Sequence, residues 1–298
     1  MTTKPHMDTI GAVALIAFAV HLAFNQVVVK VTNGGFNPVF AAGVRSAGAM
    51  VVLLIWMRWR GISFVLPKRA IPAGLLSGML FALEFTCLFV ALDFTTVSRA
   101  SVIFYSMPVW LAIVSHFVLP SDRLTGRRLA GMALAMGGVA LALLDHSDVT
   151  ASLTGDLLAL TAALCWAGIA LCVKATPLQT VAPAHQLMFQ VLVSAPILLL
   201  ASLGFGDLIR DVQPIHVAGL IFQIVAVASL GFLAWFWLMS IYPASAVASF
   251  SFLSPVFAVI LGWALLDEHV SPKVWGALAL VAGGLYLINR RPRNHAVD

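Results

Sequence analysis

Long apolar runs alternate with short polar joints along almost the whole chain. The runs fall near 10–29, 37–57, 71–92, 97–119, 128–144, 156–173, 184–203, 214–238, 244–266 and 274–289. Each holds roughly 17–25 residues, enough for a helix to cross ~30 Å of hydrocarbon. A helix also satisfies every backbone N–H and C=O within itself, which lipid demands. The pattern predicts ten transmembrane helices, the fifth and tenth being the shortest.

The runs repeat. Gly11 to Lys30 (GAVALIAFAVHLAFNQVVVK) aligns without a gap on Gly155 to Lys174 (GDLLALTAALCWAGIALCVK). Pro38 then falls opposite Pro183, Pro108 opposite Pro255 and Gly131 opposite Gly276, an offset near 145 residues throughout. Two copies follow, residues 10–144 and 154–290, of five spans each. An odd span count makes the second copy enter the membrane upside down. The expected fold is therefore an all-α membrane protein of ten transmembrane helices arranged as two inverted five-helix repeats. Inverted repeats are the architecture of alternating-access carriers, with the solute held near midplane where the copies meet.

Composition agrees. Of 298 residues 61% are hydrophobic and only 10% charged, against about 25% charged in soluble domains. The net charge of +5 comes from short loops rather than a basic face, so nucleic acid is not an expected partner. Cys87, Cys165 and Cys172 lie within spans, without metal-type spacing or a disulfide framework. No phosphate-binding glycine loop is present, and the first span reads as a retained helix rather than a cleaved signal. No cofactor or metal is expected.

Lys and Arg set the orientation. With the N-terminus inside, twelve fall on the cytoplasmic side: Lys4, Arg58, Arg60, Lys68, Arg69, Arg123, Arg127, Arg128, Lys174, Arg290, Arg291 and Arg293. Four (Lys30, Arg99, Arg210 and Lys273) fall on the other. Both termini are expected in the cytoplasm. The acidic linker between copies, with Asp145, His146, Asp148 and Asp156, is expected outside.

Several stretches carry a family resemblance. They are Asn25–Lys30 (NQVVVK), its partner Trp166–Lys174 (WAGIALCVK), Pro38–Arg45 (PVFAAGVR), Asp93–Pro108 (DFTTVSRASVIFYSMP) and Tyr242–Pro255 (YPASAVASFSFLSP). Their order over nearly the whole chain resembles the drug/metabolite transporter superfamily, of the ten-span type with two EamA domains. The resemblance implies a carrier of the bacterial inner membrane, often an exporter of amino acids, related metabolites or toxic compounds. It also implies a central cavity lined by spans 1–4 and 6–9, with spans 5 and 10 peripheral. The Trp-Gly pair common in span 1 of the family is replaced by Leu22 and Ala23; the matching tryptophan is Trp166 in copy two.

Three ionisable residues lie within spans, all in copy one: His21, Arg45 and Glu84. At ~1.5 Å rise per residue each sits about 12–14 Å from the outer surface. Charges in a span are costly, and they usually face a cavity or a partner. One reading makes them a single cluster in which Glu84 takes up and releases a proton, His21 tunes it, and Arg45 holds a solute carboxylate or orients Glu84. The other makes Arg45 and Glu84 a permanent ion pair that fixes packing. Asn25, Gln190, Gln223, Ser101, Tyr105 and Ser249 are further candidates for the cavity wall, on helical stripes with other polar residues. Trp166 and Trp235 are aromatic candidates, and Pro108 and Pro255 are candidate hinges. The Gly131/Ala135/Gly138 and Gly276/Gly283/Gly284 stripes allow close helix packing, within the bundle or between protomers.

The expected function is a proton-coupled secondary exporter of amino acids, small metabolites or drugs, working as a monomer or homodimer in the lipid bilayer. The alternative is an importer or exchanger of organic anions or nucleotide-sugar-like solutes, and a further one is a membrane sensor without transport. An enzyme is not expected: Ser115 and His116 are adjacent and so point to different faces, and His21 has no nucleophile beside it. The topology is open to a direct check. Alkaline phosphatase fused after Ser147 should be active outside the cell and inactive when fused after Arg60; a cytoplasmic reading at Ser147 contradicts the inverted arrangement.

Overall fold

The computed structural model describes residues 8–63, 67–118, 125–145, 152–242 and 253–289. Apolar runs form the helices, and polar or proline residues start them. Asp8 caps α1 (Thr9–Asn33) by accepting from Gly11 N at 2.8 Å. Asn37 caps α2 (Pro38–Trp59), whose first residue lacks the N–H that a helix start leaves unpaired. α3 is Ile71–Phe94. Span 4 is two helices, α4 (Val97–Phe104) and α5 (Met107–Val118). The bend expected at Pro108 thus falls at Tyr105 and Ser106, and Pro108 is the second residue of the new helix. α6 (Gly126–Leu143) ends copy one.

Copy two begins with α7 (Leu153–Ala175) and α8 (Pro183–Ser202), the latter with Pro196 in its interior. Span 8 is α9 (Pro214–Phe222), a π-helical segment Gln223–Gly231, and α10 (Phe232–Ile241). α11 (Leu253–Leu266) and α12 (Pro272–Asn289) complete the described residues. Pro255 is the third residue of α11, and Ser249 lies outside the described residues. Eight helical spans are long and apolar enough to cross a bilayer, and two shorter apolar helices bring the number to ten among the described residues. Ile10, Leu76, Met79, Phe117, Leu200 and Trp263 are exposed on the periphery, as lipid-facing residues would be.

The copies interleave. α2 packs on α8, α3 on α7 and α8, α1 on α11, and α6 on α12. These contacts come in exchanged pairs. Span 3 meets spans 6 and 7, and its counterpart, span 8, meets spans 1 and 2. Span 1 meets span 9, and its counterpart, span 6, meets span 4. The inverted repeats are therefore also a packing symmetry, and the apolar core lies along the seam between them. Gly131, Gly138 and Gly284 pack within the bundle: a Cβ on Gly131 would collide with the Gly284 carbonyl, so α6 and α12 touch backbone to backbone, whereas Gly283 faces open space.

One end of the bundle, where α1 ends and α7 begins, holds a buried polar network. We call it the far end. Arg99, at the start of α4, is 3% exposed. Its guanidinium donates to both carboxylate oxygens of Asp156 and, at 2.8 Å, to the Asp145 carbonyl. The Ser271 hydroxyl donates to the Asp145 carboxylate. Thr95 Oγ1 donates to Asp156 at 2.9 Å, and Lys30 Nζ donates to the Thr95 carbonyl at 2.6 Å. Glu268, at the end of α11, accepts from Val97 N (2.6 Å), Ser98 N (2.9 Å) and Ser98 Oγ (2.7 Å). Its charge suits the positive N-terminal end of α4. Arg99 and Lys30, read from the sequence simply as loop charges, thus join spans 1, 3, 4, 5, 6 and 10.

Removing one member of a buried pair costs roughly 3–5 kcal/mol, because the other charge is left unpaired. Arg99→Met should therefore lose most of its folded protein in thermal denaturation of the detergent-solubilised chain. Lys273→Ala, at the exposed rim of the same network, should cost no more than about 1 kcal/mol. Wild-type stability in Arg99→Met would contradict the assignment.

Candidate functional site

Arg45 lies midway along α2 and is 5% exposed. Its guanidinium carbon sits 4.2 Å from the Phe85 ring centre and 5.8 Å from that of Phe89. Phe81, Phe85 and Phe89 recur every four residues and form a ladder along α3, with ring centres 4.5 and 5.7 Å apart. The ladder holds the cation by its π-faces and leaves its donors free. Arg45 Nε has no acceptor. Arg45 lines a narrow cleft together with Ser46, Ala49, Phe81, Leu187, Val191, Ala228 and Phe232, so both copies form its wall.

Glu84 precedes Phe85 on α3 and is equally buried. It interacts electrostatically with Arg45 and with Cys165 on α7. Yet among the described residues no Arg45–Glu84 contact falls within 4.0 Å, and Glu84 Oε2 has no hydrogen-bond partner. The permanent ion pair is not formed. A buried polar group without a partner costs about 1–3 kcal/mol, and more when charged. Such groups call for a water, an ion or a ligand.

The other sequence candidates divide. Gln190 on α8 reaches toward α3, donating to Ser77 Oγ at 3.2 Å. Tyr105, at the break in span 4, faces Gln26 on α1 and Ser254 on α11. Trp166 stacks on Phe104 at 5.0 Å and meets Tyr105 edge-on at 6.2 Å. Ser101 is fully buried with its hydroxyl unpaired, and the side-chain oxygens of Asn25 and Gln26 are also unpaired. Gln223 donates to Thr32 Oγ1 at 2.9 Å. His21 does not join Arg45 and Glu84: its Nε2 donates to the Ala226 carbonyl at 3.1 Å, and its ring meets Phe222. Trp235 stacks on Phe18 in a separate small cluster with Leu15 and Tyr242. Gln26, Ser254, Ser46, Ser77 and the phenylalanine ladder were missed from the sequence. The ladder's four-residue spacing was the available signal.

Access to the seam is closed at the far end. Phe36 and Ile209 form a single antiparallel bridge. Asn37 N donates to Leu208 O at 3.0 Å, Arg210 N to Gly35 O at 2.9 Å, and Asn37 Nδ2 to Phe205 O at 2.7 Å. Arg210 also donates to both carboxylate oxygens of Asp93, at 3.0 and 2.8 Å. Those bonds raise the Arg210 pKa further, so it stays charged. At the opposite end the symmetry-related joints meet through Ala70, Leu178 and Val181; His185 Nε2 donates to Ser63 O at 2.9 Å, and Cys172 Sγ to Ala73 O at 3.4 Å.

These features define a multi-pass α-helical membrane protein with buried polar groups along a seam between inverted repeats. The family profile for the EamA-like transporter family matches residues 9–144 and again 153–290. The chain belongs to that family, and its role is that of a transporter. It is 28% identical to a probable amino-acid metabolite efflux pump of Escherichia coli strain K12, over 93% of each chain. Identity to a protein of the same name in Salmonella typhimurium is 29%, again over 93% of each. It is 22% identical to the uncharacterized transporter YoaV of Bacillus subtilis strain 168, over 92% of this chain and 94% of that one. A solved crystal structure shares the fold with a TM-score of 0.67 at 18% identity, covering 92% of this chain and 95% of the other.

Proposed function

We propose that this chain exports amino acids, related metabolites or amphipathic drugs across the bacterial inner membrane by alternating access, coupled to protons through Glu84. Both termini are then cytoplasmic, and the far end faces outward. The observation that carries this reading is the unsatisfied pair of opposite charges. Arg45 has a free donor and Glu84 a free acceptor, both are buried, and neither binds the other.

A zwitterion suits such a pair. Its carboxylate accepts from Arg45, its ammonium donates to Glu84, and its apolar part lies among Phe81, Leu187, Val191 and Phe232. The arriving ammonium competes with a proton for the Glu84 carboxylate. In an antiport cycle Glu84 releases its proton to the cytoplasm as solute binds, and takes one from outside as solute leaves. Outward release requires the Arg210–Asp93 bonds and the Phe36–Ile209 bridge to part. The Arg210–Asp93 pair is partly exposed to solvent, where ion pairs are weak enough to open. The names of the two enterobacterial relatives support the exporter direction and the solute class. Arg45 is the one cation lining the cleft among the described residues, which disfavours nucleotide-sugar-like anions.

The test is growth of overexpressing bacteria on toxic amino-acid analogues and amphipathic drugs. The wild type should protect, and Glu84→Gln should lose both protection and its dependence on external pH. Arg45→Gln should weaken apparent solute affinity about tenfold or more, as expected for a hydrogen bond to a charge worth roughly 1.5–3 kcal/mol. Normal, equally pH-dependent export by Glu84→Gln would remove the coupling role. Sensitisation by the wild type would make the chain an importer.

A further inference from the structure

Span 8 changes winding where it passes the cleft. Residues Gln223–Gly231 are π-helical, a form that is rare, wider than the α-helix and frequent at functional sites. This stretch is tied to span 1 at its first residue and again near its middle. Gln223 Nε2 donates to Thr32 Oγ1 at 2.9 Å, and His21 donates to the Ala226 carbonyl at 3.1 Å. His21 also sits against Gly231, where a side chain would meet its ring. The other face of the stretch looks the opposite way. Ala228 lines the Arg45 cleft, and Ile224 fills the space beside Gly48 on α2.

The π-segment is therefore a wall with span 1 behind it and the cleft in front. Its winding decides which residue fronts the cleft. Reverting to α-helix tightens every turn, rotates Ala228 away, and swings Phe232 and the rest of α10 about the axis. Alpha winding is the more favourable form for an apolar stretch, so the π form needs outside support. Within the stretch Ser229 Oγ donates to the Ile224 carbonyl at 2.7 Å, and the two span 1 hydrogen bonds add the support from outside.

We propose that His21 is a positioning residue, which holds the π-helical wall of the Arg45 cleft in register from span 1 and so sets the shape that the solute meets. The role deepens the transport reading above, because it takes the Arg45 cleft as the solute site. It gives His21 a task separate from Glu84, with which it makes no contact among the described residues.

Cysteine labelling tests the wall without requiring transport. In the full chain in native membranes, with Cys87, Cys165 and Cys172 replaced by Ala, Ala228→Cys and Val227→Cys are each exposed to a small membrane-permeant methanethiosulfonate. With His21 present, position 228 should label and position 227 should be protected. His21→Leu should lower labelling at 228 and raise it at 227, and His21→Gln, whose Nε2 reaches similarly, should restore the first pattern. In export assays His21→Leu should raise KM by about two- to tenfold, the scale of one hydrogen bond, with little change in Vmax. An unchanged labelling pattern in folded His21→Leu overturns the proposal. Should that variant fail to fold, His21→Phe keeps a ring against Phe222 but lacks the donor, and an unchanged pattern there overturns the proposal equally. A labelling shift in a chain that exports none of the panel supports the wall and refutes the solute site.

Discussion

Lipid supplies no hydrogen bonds, and that constraint sorts every polar group in this chain. Most are paired at the ends of helices. Arg99, Asp156, Asp145 and Ser271 complete one another at the far end, and Glu268 closes the start of α4. The exceptions among the described residues include Asn25, Gln26, Arg45, Glu84, Ser101 and Gln223 along the seam between the two copies, with Asn33 and Ser115 besides. The atoms on Arg45 and Glu84 are the costliest of these to leave open, because they belong to charged groups. They are the groups a passing solute, water or proton would complete.

Interleaving of the copies gives the seam its mechanical character. Because span 3 meets spans 6 and 7 as span 8 meets spans 1 and 2, exchanging the roles of the copies exchanges the two ends of the bundle. The same joint is built twice in different chemistry. At the far end it is a backbone bridge with a partly exposed ion pair; at the other it is mainly apolar side chains. Polar contacts near water open at small cost, and apolar ones open at a cost that grows with area. The buried Arg99 network, by contrast, is built to stay closed. The far end thus carries both a fixed clamp and a breakable seal.

The spans, the inverted order and the family were legible in the sequence because they rest on hydropathy, parity and repeat spacing. Depth was read by counting residues, which put Arg45 and Glu84 at one level. Azimuth was not. His21 lies at the same level yet turns toward span 8, because counting from a loop fixes height but not which neighbour a helix face meets. Asn25 was read as part of the cavity wall from its stripe with His21, while Gln26 is the residue that faces Tyr105. The π-segment left no sequence signal, since apolar residues suit either winding and only packing decides. Asp145, Asp156 and Arg99 read as loop charges because nothing in one sequence shows that three helix ends converge.

The central claim is that solute passes the seam by opening the far end. Phe36→Cys with Ile209→Cys places a thiol pair across the antiparallel bridge, where opposing Cβ atoms lie about 4.5–5.5 Å apart. The native cysteines are buried and free. Oxidation should join the pair and stop export of the solute that the growth panel identifies, and a reductant should restore it, while either single variant keeps exporting under oxidation. Full-rate export by the cross-linked chain would mean that the far end never opens, and the alternating-access account would be wrong.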